Sequence, residues 1–289
     1  MKLNIVPMTA GQQWIFQSFS AFKRSPMHFI GLAVLSFFMT FALSSTLPYI
    51  GPLLAFMVSV YFSLAFMIAT DNILHNNPSS FTLLLNGILN APAGKRPLFT
   101  LSVMYMAATV LVWLVCRQIT ASLFPELTAQ FVELTMRLSD PNSTSIVLSE
   151  NDQMLLVQYV SVMSIQSLFI YVIVLFFFLF TPALVYWGQI PAAKAIFFNL
   201  IAGYKNIAAF ALYAVMWLAL LTISLFIVSL FCSLLAMLLG LNTFTTMLLF
   251  FIVVTCFMAL FALFQISVYF AFKACFKMDA PAPASVPPQ

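Results

Sequence analysis

Asp71 and His75 stand four residues apart at the end of a long apolar run. On a helix that spacing puts a carboxylate and an imidazole on one face. Such a pair could pass a proton or offer two ligands to a metal. Two ligands fall short of a typical zinc site, so the plainer reading is a solvated helix end. His28, at the start of another apolar run, reads as a polar residue at a membrane edge. The sequence holds no nucleophile elbow, P-loop or H-E-x-x-H motif. The expectation is a chain with no catalytic residue, no metal and no cofactor, and hence not an enzyme.

Neutral polar side chains inside apolar runs are the other chemistry on offer. Gln166 and Gln265 lead them, because an amide in lipid needs hydrogen-bond partners. Ser164 lies near Gln166, and Ser224 lies in the fifth run. These four are the candidate polar lining of a site for an amphipathic ligand. The plainer alternative is hydrogen bonding between helices, worth about 0.6 kcal/mol per contact in a membrane.

The elements that must position these residues follow from composition. The chain has 289 residues, 63% hydrophobic and 6% charged. Soluble domains carry about 25% charged residues, so lipid must be the solvent for much of this chain. Six apolar runs reach the length of about 20 residues that crosses the hydrocarbon as helix: 27–47, 51–70, 98–117, 154–180, 207–239 and 244–272. None shows the alternating ten-residue pattern of a barrel strand. The first run starts late and lacks a small-x-small cleavage pattern, so it reads as a retained span rather than a signal peptide. The deep parts of all six runs lack ionisable residues. That argues against a proton relay, a voltage sensor or a path for charged substrates.

Sorting the loops by side separates the charges. Lys2, Lys23, Arg24, Lys95, Arg96, Lys194, Lys205, Lys273 and Lys277 fall in one group, with Asp71 and Asp279. The other group holds Arg117 and Arg137 against Glu126, Glu133, Asp140, Glu150 and Asp152. The positive-inside rule places the first group in the cytoplasm, with both termini. The acidic 118–153 segment is then the sizeable outer loop. Lys23, Arg24, Lys95, Arg96, Lys194 and Lys205 are the candidate contacts to anionic lipid headgroups, at about 1 kcal/mol each. No nucleic-acid partner is implied; membrane lipids and other envelope proteins are the expected partners. The four cysteines, Cys116, Cys232, Cys256 and Cys275, lack metal or redox spacing. Cys116 and Cys232 both fall toward the outer side, but burial as small apolar residues is favoured over a disulfide.

The segment IFQSFSAFKRSP, 15–26, sets Ile15, Phe19 and Phe22 at helical spacing with Lys23 and Arg24 following. It reads as an amphipathic interfacial helix, ended by Pro26. Segments 81–97 and 191–206 repeat the device before the third and fifth spans, with Ser18, Asn86 and Asn199 in comparable positions. The chain then reads as three modules, each an interfacial helix plus a helical hairpin. The competing explanation is that any inner loop of a membrane protein looks amphipathic and basic. Residues 124–138 carry Phe124, Leu127, Phe131, Leu134 and Leu138 at helical spacing behind Pro125, which predicts a small helix on the outer face. Turns are expected at LPYIGP, 47–52, at DPNSTS, 140–145, and at GLNT, 240–243, with SEND, 149–152, capping the fourth span. TPALVYWGQIP, 181–191, reads as an aromatic-belt exit from the bilayer. The fold class is all-α integral membrane with six spans. Residues 1–278 form a single polytopic membrane domain and 279–289 a disordered cytoplasmic tail.

Three stretches, FKRSP (22–26), LPYIGPLL (47–54) and TPALVYWGQIPAAKAIFFNLIAGYKN (181–206), together resemble an uncharacterised family of proteobacterial six-helix inner-membrane proteins. The resemblance covers most of residues 10–275. It implies a Gram-negative inner membrane and supplies no activity and no catalytic residues. The expectation is an accessory or structural role in envelope organisation or barrier function. The alternative is a transporter or flippase for a lipid-like or amphipathic molecule.

Overall fold

The computed structural model describes residues 2–77, 80–89, 95–138, 149–240 and 242–277. The turn expected at 140–145 and the tail at 279–289 lie outside them. The described chain is all-α apart from two short strands. Its order is β1 (Lys2–Leu3), α1 (Ala10–Arg24), α2 (Pro26–Thr46), α3 (Gly51–Leu74), α4 (Phe81–Leu89), α5 (Lys95–Leu123), α6 (Pro125–Leu138), α7 (Glu150–Phe178), α8 (Thr181–Tyr186), α9 (Ala192–Lys205), α10 (Ile207–Leu239), α11 (Thr243–Cys275) and β2 (Phe276–Lys277). Six helices are long and apolar enough to cross a membrane: α2, α3, α5, α7, α10 and α11.

Local chemistry sets the boundaries. Ser25 leaves helical geometry, and Pro26 opens α2 at a position where its missing N–H costs nothing. Between α2 and α3 the chain turns so tightly that a Cβ on Gly51 would stand 1.9 Å from the Leu43 carbonyl oxygen. Only glycine fits there. Pro125 starts α6. Ser149 and Asp152 close a reciprocal cap on α7: the Asp152 N–H donates to Ser149 Oγ at 3.2 Å and the Ser149 N–H donates to Asp152 Oδ2 at 3.1 Å. Gly240, at φ 72°, ends α10, and Asn242 Oδ1 accepts from the Thr245 N–H at 2.9 Å to start α11.

The packing falls into two compact units, residues 1–103 with 178–289, and residues 104–177. In the first, α11 packs against α1, α2, α3 and α10. Its core is aromatic. Trp14 meets Phe210 and Tyr213 at 5.3 and 5.6 Å, and Phe180 meets Phe210 and Phe272 at 5.8 and 6.0 Å. α1 buries Ala10, Gly11, Trp14, Ile15, Ser18 and Ala21 against α10 and α11. That differs from a helix that offers its apolar face to lipid: Trp14 is 1% exposed, while Phe16 on the opposite side is 57% exposed. Small residues permit the approach, since a Cβ on Gly11 would lie 2.2 Å from the Ala209 carbonyl oxygen. α9 follows the same rule, burying Ala192, Ala195, Asn199 and Ala202.

The second unit holds the later part of α5, α6 and most of α7. Phe131 of α6 stacks on Tyr159 of α7 with centroids 3.5 Å apart, and Leu134 is buried beside it in sequence. Arg137 Nη2 bonds Asp152 Oδ1 at 2.8 Å. The helix drawn from the spacing of residues 124–138 is thus present as α6, fixed by a stacked pair and an ion pair. In both units the long helices leave wide apolar surfaces exposed, with Phe226, Phe231, Phe250 and Phe251 on α10 and α11 all at least half exposed. In water such surface would drive aggregation; in lipid it is the solvated face.

Candidate functional site

Asp71, the last carboxylate of α3, is a node rather than a loose helix end. Tyr269 Oη donates to its Oδ1 at 2.5 Å, and Lys273 Nζ stands 3.2 Å from the same oxygen. His75 Nδ1 lies 3.9 Å away. Lys273 also sits over the rings of Trp187 and Tyr269, at 5.6 and 5.4 Å. Trp187 stacks on Phe272 at 5.7 Å, so the aromatic exit after α8 is packed against α11. Arg24 Nη1 donates to the Leu74 carbonyl at 3.4 Å, a cation at the C-terminal end of α3. The hydrogen bond from Tyr269 and the ion pair with Lys273 tie α3 to α11. Among the described residues no group of three or more His, Cys, Asp or Glu could hold a metal ion.

Asn206 is the second node, and spacing in sequence did not point to it. Its Oδ1 accepts from the Val6 N–H at 2.8 Å, and its Nδ2 donates to the carbonyls of Asn4 and Ala202 at 3.2 and 3.0 Å. Asn4 in turn donates through Nδ2 to the Ala274 carbonyl at 3.0 Å and through its N–H to the Cys275 carbonyl at 2.8 Å. β1 then pairs antiparallel with β2, Lys2 opposite Lys277. Residues 2–6 are thereby strapped to the end of α11. Asn199 plays a similar part locally, its Oδ1 accepting from the buried Phe180 N–H at 2.9 Å. Of the three residues aligned across the interfacial segments, Ser18 and Asn199 are buried and Asn86 is exposed.

The candidate polar lining is divided between the units. In the first, Gln265 Oε1 accepts from Ser63 Oγ at 3.4 Å, joining α3 to α11, and Ser224 is half-buried on α10. In the second, Gln166 Oε1 accepts from Thr120 Oγ1 at 2.9 Å, and Ser164 is exposed and bonds back to the Val160 carbonyl. Gln166 also borders a cavity of about 290 Å³. Arg117, Thr120, Thr135, Tyr159 and Trp113 share its wall, and the Arg117 guanidinium lies 5.5 Å from the Trp113 ring.

Two of the candidate headgroup bases meet a pocket. Lys95 and Arg96 border a groove of about 450 Å³ whose other walls are Tyr61, Leu85, Ile88, Leu98 and Phe99. The groove is formed by α3, α4 and the first turn of α5. Lys23, Lys194 and Lys205 are exposed on α1 and α9 and border none of these cavities. The four cysteines are free thiols.

One comparison with known proteins bears on identity. The chain is 24% identical over 221 residues to a probable inner membrane protein of Burkholderia thailandensis, covering 76% of each chain. With six apolar helices of spanning length, the chain is a polytopic inner-membrane protein. No family model and no solved structure matches it.

Proposed function

We propose that this protein is a non-catalytic accessory component of the bacterial envelope, supporting membrane organisation or barrier function through lipids and other envelope proteins. The observation that carries this reading is the packed aromatic core of the first unit. Trp14, Phe180, Phe210, Tyr213 and Phe272 interlock at one end of the bundle, where a path for a substrate would need space. Gln265 is engaged with Ser63, a helix-to-helix contact. The basic residues face the cytoplasm with both termini in this reading. The pairing of Lys2–Leu3 with Phe276–Lys277 supports an even number of crossings. The order α1–α2–α3, α4–α5–α7 and α9–α10–α11 supports three modules of short helix plus hairpin.

A second reading, handling of an amphipathic small molecule by a transporter or flippase, has one observation in its favour. Gln166, Thr120 and Arg117 share the wall of the cavity in the second unit. Native mass spectrometry of gently extracted protein separates the two, with Gln166→Leu/Gln265→Leu as the comparison. The accessory role predicts a retained protein partner and no small molecule that the variant loses. A stoichiometric ligand present in the wild type and absent from the variant would overturn it in favour of transport.

A further inference from the structure

We infer that the groove between α3, α4 and α5 binds one acidic phospholipid, with Lys95 and Arg96 holding the phosphate and the apolar walls holding the acyl chains. This deepens the accessory reading by giving it a lipid ligand.

Three observations converge. First, the groove is a cavity of about 450 Å³, in the range of small-molecule sites, enough to seat the headgroup end and the upper part of the chains while the rest runs on in the bilayer. Second, its composition is divided. Leu85, Ile88, Leu98 and Phe99 supply hydrocarbon, and the charged groups at its border are both cations. Neither Lys95 nor Arg96 forms an ion pair with another described residue, although Asp71 and Asp152 both find cations. Third, one wall of the groove reaches the middle of α3. Tyr61 is the eleventh residue of α3, about 15 Å along that helix at 1.5 Å per residue. That is about half the hydrocarbon thickness, so the Tyr61 wall lies where acyl chains run.

Exposed cations at the rim of an apolar groove attract an anionic headgroup whose chains fit the walls. A phosphodiester satisfies both bases at once. The guanidinium offers a two-pronged donor set to phosphate oxygens and the ammonium adds a point charge. The two bases also occupy the first turn of α5, where the helix dipole is positive and N–H groups lack intrahelical acceptors. A soluble phosphate would use the bases and leave the apolar walls unfilled. A zwitterionic lipid would fill the walls and bring its own cation to the bases. An acidic phospholipid suits both.

The test uses the full chain in nanodiscs of phosphatidylcholine doped with phosphatidylglycerol, with bound lipid read by native mass spectrometry. The wild type retains one phosphatidylglycerol per chain. K95Q/R96Q weakens retention about thirtyfold, the combined effect of two surface charges. L85W, which fills the groove and keeps both bases, also loses the lipid. K2Q/K277Q, on the paired strands β1 and β2, which do not border the groove, retains it. Leu85 and both bases are exposed, so these substitutions leave the core intact. Retention by K95Q/R96Q or by L85W, equal retention of phosphatidylcholine, or displacement by inorganic phosphate would overturn the site. Loss of the site leaves the partner-retention test of the accessory role standing, and the reverse also holds.

Discussion

Single residues decide how closely the helices of the first unit approach. Gly11 is the sharpest case. The backbone of α10 lies where its Cβ would be, at 2.2 Å from the Ala209 carbonyl oxygen and 2.8 Å from the Tyr213 nitrogen. Both are backbone atoms, so no rotamer change relieves the clash. Gly11→Ala is expected to destabilise the protein by about 1–3 kcal/mol, the usual cost of overpacking, and to lower the melting temperature in detergent. An unchanged melting temperature would mean that α1 sits farther from α10. Asp71 teaches a related lesson about spacing. Its i, i+4 neighbour His75 was visible in sequence, yet its close partners are Tyr269 and Lys273, about two hundred positions away. Local periodicity carries no information on such pairs.

At the scale of elements, legibility tracks the physical constraint. Lipid forces long apolar helices, so the spans drawn from hydropathy agree with α2, α3, α5, α7, α10 and α11 to within six residues at either end. Pro26, Pro125, Gly51, Gly240 and Asn242 mark boundaries because each has a local reason to do so. What was not legible is which surface covers an amphipathic helix. Residues 10–24 have an apolar stripe whether lipid or protein lies against it, and here protein does. The two-residue strands gave no signal either, since their pairing joins opposite ends of the chain. The strap they form hangs on Asn206. Asn206→Leu removes three hydrogen bonds from Asn4, Val6 and Ala202 at one stroke. The expected cost is about 2–3 kcal/mol, concentrated locally. Hydrogen–deuterium exchange should speed at residues 2–6 while α11 stays protected. Unchanged exchange there would show that the β1–β2 pairing and the Asn4 bonds to Ala274 and Cys275 hold the strap without Asn206.

For the molecule as a whole, the division of labour follows from where polar groups are buried. Within the first unit, hydrogen bonds and ion pairs gather at the α3–α11 end and around Asn206, while much of α10 and the early part of α11 turn Phe and Leu side chains outward. The candidate lining was half legible: the amides did need partners, and Gln166 and Gln265 each found a hydroxyl. Their division between two units was not, because sequence gives no distance between spans. Six crossings with the basic rim inside is the claim on which both the phospholipid groove and the accessory role stand. The measurement that tests it most directly is labelling of single-cysteine variants in intact spheroplasts with a membrane-impermeant maleimide, the native cysteines first replaced by serine. Cysteine at Gln130 of α6 should react, and cysteine at Lys23 or Lys194 should react only after the membrane is opened. Labelling of Lys23 or Lys194 positions from outside, or silence at position 130 until lysis, would contradict the orientation.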